Sequence, residues 1–305
     1  MIKGGDYMIQ FADKTMVKQL KKIWKECFHD EDSYIDFFFR EYFSDESTLV
    51  YLIDGKPVSI LTLMPAKLHE KEELRNVYYI YAVATLPEGR GKGYSSMLLD
   101  YANEITSNAT FLQPATKELE QFYERNGYSS TIYRKMLHVE KEQLEKDAKS
   151  QTELTAATIS SKRKRFAIKE LSERDSELYK TIRDRRLSGE YYVEWEEPEL
   201  SYAIKENAFT GGKTLLVDEA YVVMVREYEE VLYIREHTMP SDMIVELARQ
   251  LLTDSKAKEC SIHLIQTDNL QAVELQRIKT THTTQPIMSR FPVERGKGYF
   301  SLAFE

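Results

Sequence analysis

The stretch from Tyr79 to Asp100 constrains this chain most: Tyr-Ile-Tyr-Ala-Val-Ala-Thr-Leu-Pro-Glu-Gly-Arg-Gly-Lys-Gly-Tyr-Ser-Ser-Met-Leu-Leu-Asp. A β-rich run, Val77 to Thr85, leads into a tight basic loop, Arg90 to Gly93. That loop opens a helix whose expected apolar positions are Met97, Leu98 and Tyr101. Strand, glycine-rich turn and helix N-terminus together make an anion site, because successive backbone N–H groups point outward and the helix dipole favours negative charge. Gly91 and Gly93 lack the Cβ that would keep a phosphate from the backbone. The loop ends in neither Gly-Lys-Ser nor Gly-Lys-Thr and carries no Gly-x-Gly-x-x-Gly, so it is neither a nucleotide-hydrolysing P-loop nor a dinucleotide fingerprint.

A second motif follows at residues 111–128, Phe-Leu-Gln-Pro-Ala-Thr-Lys-Glu-Leu-Glu-Gln-Phe-Tyr-Glu-Arg-Asn-Gly-Tyr. Phe111 and Leu112 read as a short buried strand. Thr116 is a helix N-cap, Leu119, Phe122 and Tyr123 follow at helical spacing, and Gly127 closes the helix.

The pattern Arg-x-x-Gly-x-Ser, Arg90 to Ser95, resembles the pyrophosphate loop of the GNAT superfamily of N-acetyltransferases, with Ser95 as a small variant of the usual Gly or Ala. The Phe-Tyr-Glu-x-x-Gly-Tyr segment is similar to the family's second motif, and the resemblance covers roughly residues 8–138. It implies acetyl-CoA as co-substrate, with its pyrophosphate on the amides of Gly91, Lys92, Gly93, Tyr94 and Ser95 and added charge from Arg90 and Lys92. It implies that the backbone of Val83, Ala84 and Thr85 pairs with the pantetheine arm, and that Tyr123 is the general acid. Many members carry a glutamate thirteen residues before the loop arginine. That position is Val77 here. In tandem enzymes of this family the terminal carboxylate can serve as base, which would be Glu305, ending a strand-like Gly298 to Phe304.

The first half reads β-α-α-β-β-β-loop-α-β-α-β, the GNAT order, so a mixed, mostly antiparallel α+β sheet covered by helices is expected. Its elements are a strand over Met8–Phe11, a helix capped by Thr15, a helix from Ser33, strands at Thr48–Ile53 and Pro57–Leu68, and a closing strand Ser129–His138. The second half reads as a degenerate copy. Thr214 to Val217 matches Thr48 to Tyr51 at an offset of 166, while Gln266 and Gln113 are offset by 153. The missing 13 residues are nearly the length of Ala84 to Ser95. The copy therefore lacks the phosphate loop, and Gln276 stands where Tyr123 would. Gly211-Gly212-Lys213 precedes a strand and reads as a turn.

Two GNAT-like domains in tandem are expected: 1–140 as the acetyltransferase domain, 141–163 as a polar linker, and 164–305 as the copy without the CoA loop. This plan is similar to acetyltransferases of the enhanced intracellular survival type. Those carry a further lipid-transfer-like domain, which is not expected within these 305 residues.

No apolar run is long enough to span a bilayer and the N-terminus has no apolar signal core, so a cytoplasmic protein that binds no membrane is expected. Cys27 and Cys260 show no metal-ligand spacing, so no metal is expected. A net charge of −8 argues against nucleic acid and mildly favours a cationic acceptor. The acceptor class stays at a small-molecule or peptide amine; Glu190 to Glu197 reads either as an aromatic-acidic cleft that would suit a cationic amine or as plain surface or domain packing. The competing reading is a non-catalytic CoA-binding regulatory protein, which would keep the loop without needing Tyr123.

Overall fold

The computed structural model describes residues 7–70, 73–144, 146, 165–265, 279–282, 286–293 and 299. They fall into two units. Of these residues the first holds 7–68, 74–131 and 286–293; the second holds 69–70, 73, 132–144, 146, 165–265, 279–282 and 299.

In the first unit, strand β1 (Tyr7–Phe11) pairs antiparallel with β2 (Thr48–Ile53), and β2 with β3 (Lys56–Glu70). The Asp54-Gly55 turn joins the last two, with Asp54 and Gly55 both at positive φ, as an Asp-Gly hairpin requires. Strand β4 (Glu73–Thr85) follows, then a parallel step to β5 (Thr110–Leu112). Along its main path the sheet runs β1-β2-β3-β4-β5-β15-β6, where β6 is Ser129–Ile132 and β15 is Ile287–Ser289.

Among the described residues, four α-helices belong to this unit. In α1 (Val17–Phe28) the buried side chains Leu20, Ile23 and Trp24 repeat at helical spacing. The helix is entered through a 3-10 turn whose N-cap is Asp13, not Thr15: the Asp13 carboxylate accepts from the Thr15 N–H. Helix α2 (Asp32–Glu41) buries Phe37, Phe38 and Phe39, and Phe38 packs against Trp24 with ring centroids 4.4 Å apart. Full burial of a side chain this size contributes roughly 1.5–3 kcal/mol. Helix α3 (Tyr94–Ile105) turns Leu98, Leu99 and Ala102 inward. Met97, expected on that face, is exposed, because at about 100° per residue position 97 falls outside the face that Leu98, Leu99 and Ala102 share. Helix α4 (Lys117–Arg125) is capped by Thr116, whose side chain accepts from the Leu119 N–H at 3.2 Å.

The second unit repeats the pairing pattern. Strands β8 (Ile168–Leu171), β10 (Lys213–Val217), β11 (Tyr221–Tyr228) and β12 (Val231–His237) are successively antiparallel, and β12 runs parallel to β13 (Glu259–Leu264). Its helices are α5 (Ser176–Leu187), α6 (Glu197–Phe209) and α7 (Ser241–Thr253). The short strand β9 (Tyr192–Trp195) lies between α5 and α6. In it Tyr192, Val193 and Trp195 are buried, which makes this segment core packing and not an open aromatic cleft. Gly211 begins a turn at positive φ, as expected.

The strands are not shared out in chain order. The expected closing strand Ser129–His138 is two strands, β6 and β7 (Lys135–Glu140), broken at Tyr133 and Arg134. Strand β7 lies in the second sheet between β13 and β14 (Lys279–His282), and β15 lies in the first sheet between β5 and β6. In each sheet the place beside the parallel strand is filled from the other half of the sequence. Boundaries at residues 140 and 164 thus describe sequence order, and the units interleave across them. Gln276, the position expected to match Tyr123, and residues 147–163 of the expected linker lie outside the described residues.

Candidate active site

The loop after β4 begins with a strand that does not stay flat. Ala82 has φ of 53°, a left-handed conformation costly for a residue with a Cβ. The last registered β4–β5 pair is Tyr79↔Phe111, and β4 runs on to Thr85 beyond it. The strand end is fixed by Ser59, whose hydroxyl donates to the Ala84 carbonyl at 2.9 Å and bonds the Thr85 hydroxyl at 2.7 Å. Thr85 in turn bonds Ser95 at 2.6 Å, tying the strand to the first turn of α3.

Gly91 and Gly93 have φ of 74° and 84°, and a Cβ on either would meet nothing within 4 Å. Their requirement is therefore conformational first; the open space before them is where a ligand can approach. Gly93 is the N-cap of α3, with no side-chain cap and no acidic residue in the first turn. The helix's leading N–H groups are thus left to an anion. Gly89, not singled out in the sequence, is packed: a Cβ there would come within 3.0 Å of Thr85 and 3.2 Å of the Tyr94 ring. Tyr94 is held by stacking on Tyr51, centroids 4.6 Å apart.

A cavity of about 420 Å³ opens on this loop. Thr85, Gly89, Arg90, Gly91 and Gly93 to Ser96 line one side, and Phe122, Arg125 and Asn126 of the α4 end line the other. Of the expected cofactor residues, Thr85, Arg90, Gly91, Gly93, Tyr94 and Ser95 are brought together; Val83, Ala84 and Lys92 do not line it. The wall from α4 was missed in the sequence, although its i, i+3, i+4 spacing marks one helix face.

Arg90 is partly engaged: its Nε donates to the Thr85 carbonyl at 3.3 Å and its Nη2 lies 3.9 Å from Cys27 Sγ. Cys27, remote in sequence, therefore sits beside the loop, with its thiol donating to the same carbonyl at 3.3 Å. Burial pushes this thiol up, against the opposing pull of Arg90, so it is a poor nucleophile.

Tyr123 is 7% exposed, lies beside Phe122 and Tyr128, and is not among the residues lining the cavity. Burial pushes its hydroxyl far above the ordinary phenol range, with Tyr128 adding to it, so it keeps its proton. Val77 is a core residue, 1% exposed. Tyr81 is half-buried, and its hydroxyl bonds that of Tyr34 at 3.2 Å. Glu305, the expected base, lies outside the described residues. Of its segment only Tyr299 is described: its N–H donates to the Tyr191 carbonyl at 2.7 Å within the second unit.

The second sheet is also irregular near the corresponding strand end, and it has no glycine loop there. Strand β12 slips register at Arg235, and its parallel pairing with β13 ends at Ile234↔Ile262. Here the splay is filled by charge: Arg183 and Glu236, both fully buried, pair with each other. Strand β12 passes through Thr238 to Pro240 directly into α7.

Among the described residues no group of three or more His, Cys, Asp or Glu could hold a metal ion. No helix among them is long and apolar enough to cross a membrane.

Residues 8–131 match the family model described as acetyltransferase (GNAT) domain. No curated protein matches the sequence. Solved structures with the same fold include a probable N-acyltransferase from Enterococcus faecalis V583 (TM-score 0.71, 16% identity, covering 93% of this chain and 72% of that one). A GCN5-related N-acetyltransferase from Anabaena variabilis aligns with TM-score 0.70 at 14% identity, over 93% of this chain and 72% of its own. Eis1 from Mycobacterium abscessus aligns with TM-score 0.62 at 10% identity, over 92% and 73%.

Proposed function

Because residues 8–131 match the acetyltransferase (GNAT) domain model, we propose that this chain moves an acetyl group from acetyl-CoA to a primary amine by direct attack. The observation that carries this is the α3 N-terminus: uncapped, entered through two glycines at positive φ, and open to the cavity. Acetyl-CoA fits there as substrate. Its pyrophosphate is held by the amides of Gly91 to Ser95 with charge from Arg90 and Lys92, and its pantetheine arm runs along Val83 to Thr85 as an added strand. The kink at Ala82 turns backbone groups out of the ladder where a thioester carbonyl would be polarised.

The neutral amine attacks the acetyl carbon. The C–N bond forms, the C–S bond breaks, and the departing sulfur takes the proton of Tyr123. The amine's surplus proton goes to a base, for which Glu305 is the candidate. A covalent cysteine intermediate is disfavoured by the raised, half-buried thiol of Cys27. Cationic acceptors suit the acidic chain.

The regulatory reading, a CoA-binding protein without turnover, draws on one observation: Tyr123 is buried and off the cavity wall. Calorimetric titration with acetyl-CoA decides the first step. One site per chain, lost in Arg90→Ala with Gly93→Ala, is expected. Thiol release across an amine panel then separates enzyme from sensor. A wild-type chain that binds no acetyl-CoA would sink both.

A further inference from the structure

The far wall of the cavity is one face of α4, because Phe122, Arg125 and Asn126 stand at i, i+3 and i+4. Asn126 is spent locally: its side-chain amide donates to the Phe122 carbonyl at 2.8 Å, and its own carbonyl accepts from Arg290 at 2.8 Å. Of the neighbouring cations, Lys92 does not line the cavity and three others are engaged. Arg90 bonds Thr85, Arg290 bonds Asn126 and Asn108, and Lys117 pairs with Glu120 at 2.6 Å. Arg125 differs. It is exposed, it lines the cavity, and among the described residues it has no ion-pair partner. Its place in the last turn of α4 suits a cation without needing a carboxylate, since the helix dipole is negative there. The cavity lining contains no acidic residue.

Two anion-binding elements therefore face one space, the α3 amides and a free guanidinium. A ligand with a single pyrophosphate uses only the first. Coenzyme A carries a second, separate anion, the 3′-phosphate monoester of its ribose, and a planar fork with several donors suits a phosphate monoester. Resting on the acetyl-CoA reading above, we propose that Arg125 reads the 3′-phosphate and makes this chain select CoA over its 3′-dephospho form.

The test is calorimetric titration of the full chain with acetyl-CoA and with 3′-dephospho-acetyl-CoA, for wild type, Arg125→Ala and Arg125→Lys. The wild type should favour acetyl-CoA by roughly tenfold, the scale of one charge-assisted contact. Arg125→Ala should weaken acetyl-CoA to the level of the dephospho form and leave that form unchanged within about twofold. Arg125→Lys should keep part of the preference, which a merely misfolded variant would not. Equal weakening of both ligands places Arg125 on the pyrophosphate and overturns the proposal, as does a preference that survives in Arg125→Ala. Wild-type binding without preference overturns this inference alone; no wild-type binding of either ligand overturns the acetyltransferase reading with it.

Discussion

Tyr123 is where one hydroxyl decides between two functions. A general acid has to be protonated when the sulfur departs, and burial secures that by disfavouring the phenolate. Its proton must also be reachable, and the side chain is 7% exposed in a helix that presents Phe122 to the cavity. If Tyr123 is the acid, Tyr123→Phe lowers kcat by about a hundredfold or more while the acetyl-CoA dissociation constant stays within about twofold. Steady-state thiol release beside calorimetry checks both halves. The pH profile adds an independent reading. Because the hydroxyl is pushed up, its deprotonation cannot produce an alkaline fall in rate near the ordinary phenol value of about 10. A wild-type rate that collapses between about pH 9 and 10, in a profile that Tyr123→Phe leaves alone, assigns the acid elsewhere.

Gly127 shows how one position serves three elements. It follows the end of α4 with φ of 79°, which glycine tolerates best. A Cβ there would lie 1.7 Å from Arg290 Nη1, because the Arg290 guanidinium reaches across the turn to the Asn126 carbonyl and to Asn108. Gly127→Ala therefore adds left-handed strain and also displaces a side chain anchored just after β15. A loss of about 2–3 kcal/mol is expected in urea unfolding, against about 1–2 for strain alone. Arg290→Ala in the Gly127→Ala background should remove most of the excess; additive losses would mean the two do not meet. The helix end was legible in the sequence, since Gly after an amphipathic run marks a C-cap. The arginine was not, because it follows a strand and stands 163 positions later, and nothing local encodes that contact. The same divide runs through the site. Gly91, Gly93 and Thr116 announce themselves by chemistry that only certain residues perform. Ala82 at positive φ is a plain alanine in an apolar run, and its conformation is imposed by the surrounding sheet. Cys27 and the α4 wall become part of the site only when the chain returns to the loop.

At the scale of the whole molecule, the interleaved strands and the buried histidines set how stability is distributed. His237 is fully buried, with Nδ1 3.1 Å from the Met239 carbonyl oxygen, and burial, reinforced by Arg186, brings it down to about 4. An unfolded histidine titrates near 6.5, so the unfolded chain binds the extra proton between those values. The resulting stabilisation is complete above about pH 6.5 and is lost as pH falls toward 4, an effect of roughly 3 kcal/mol on the second unit. Urea midpoints from pH 7.5 to 4 should fall accordingly, and His237→Gln should flatten the slope by about one proton; His263, also pushed down by burial, retains its share. The strand arrangement bears on any attempt to divide the chain. Residues 1–140 contain both neighbours of β15 but not β15 itself, and they contain β7, whose partners β13 and β14 lie later. A fragment of 1–140 thus loses the pairing of β5 through Met288↔Leu112 and Ser289↔Phe111, and it exposes β7 as an unpaired strand. It should aggregate, or melt well below the first transition of the full chain and bind acetyl-CoA weakly if at all. Adding residues 286–293 back behind β6 through a flexible linker, with β7 removed, should restore a cooperative melt. Should the bare fragment instead melt cooperatively at the full chain's temperature, the exchanged strands carry little of the first unit's stability, and its core on α1, α2 and β2 suffices alone.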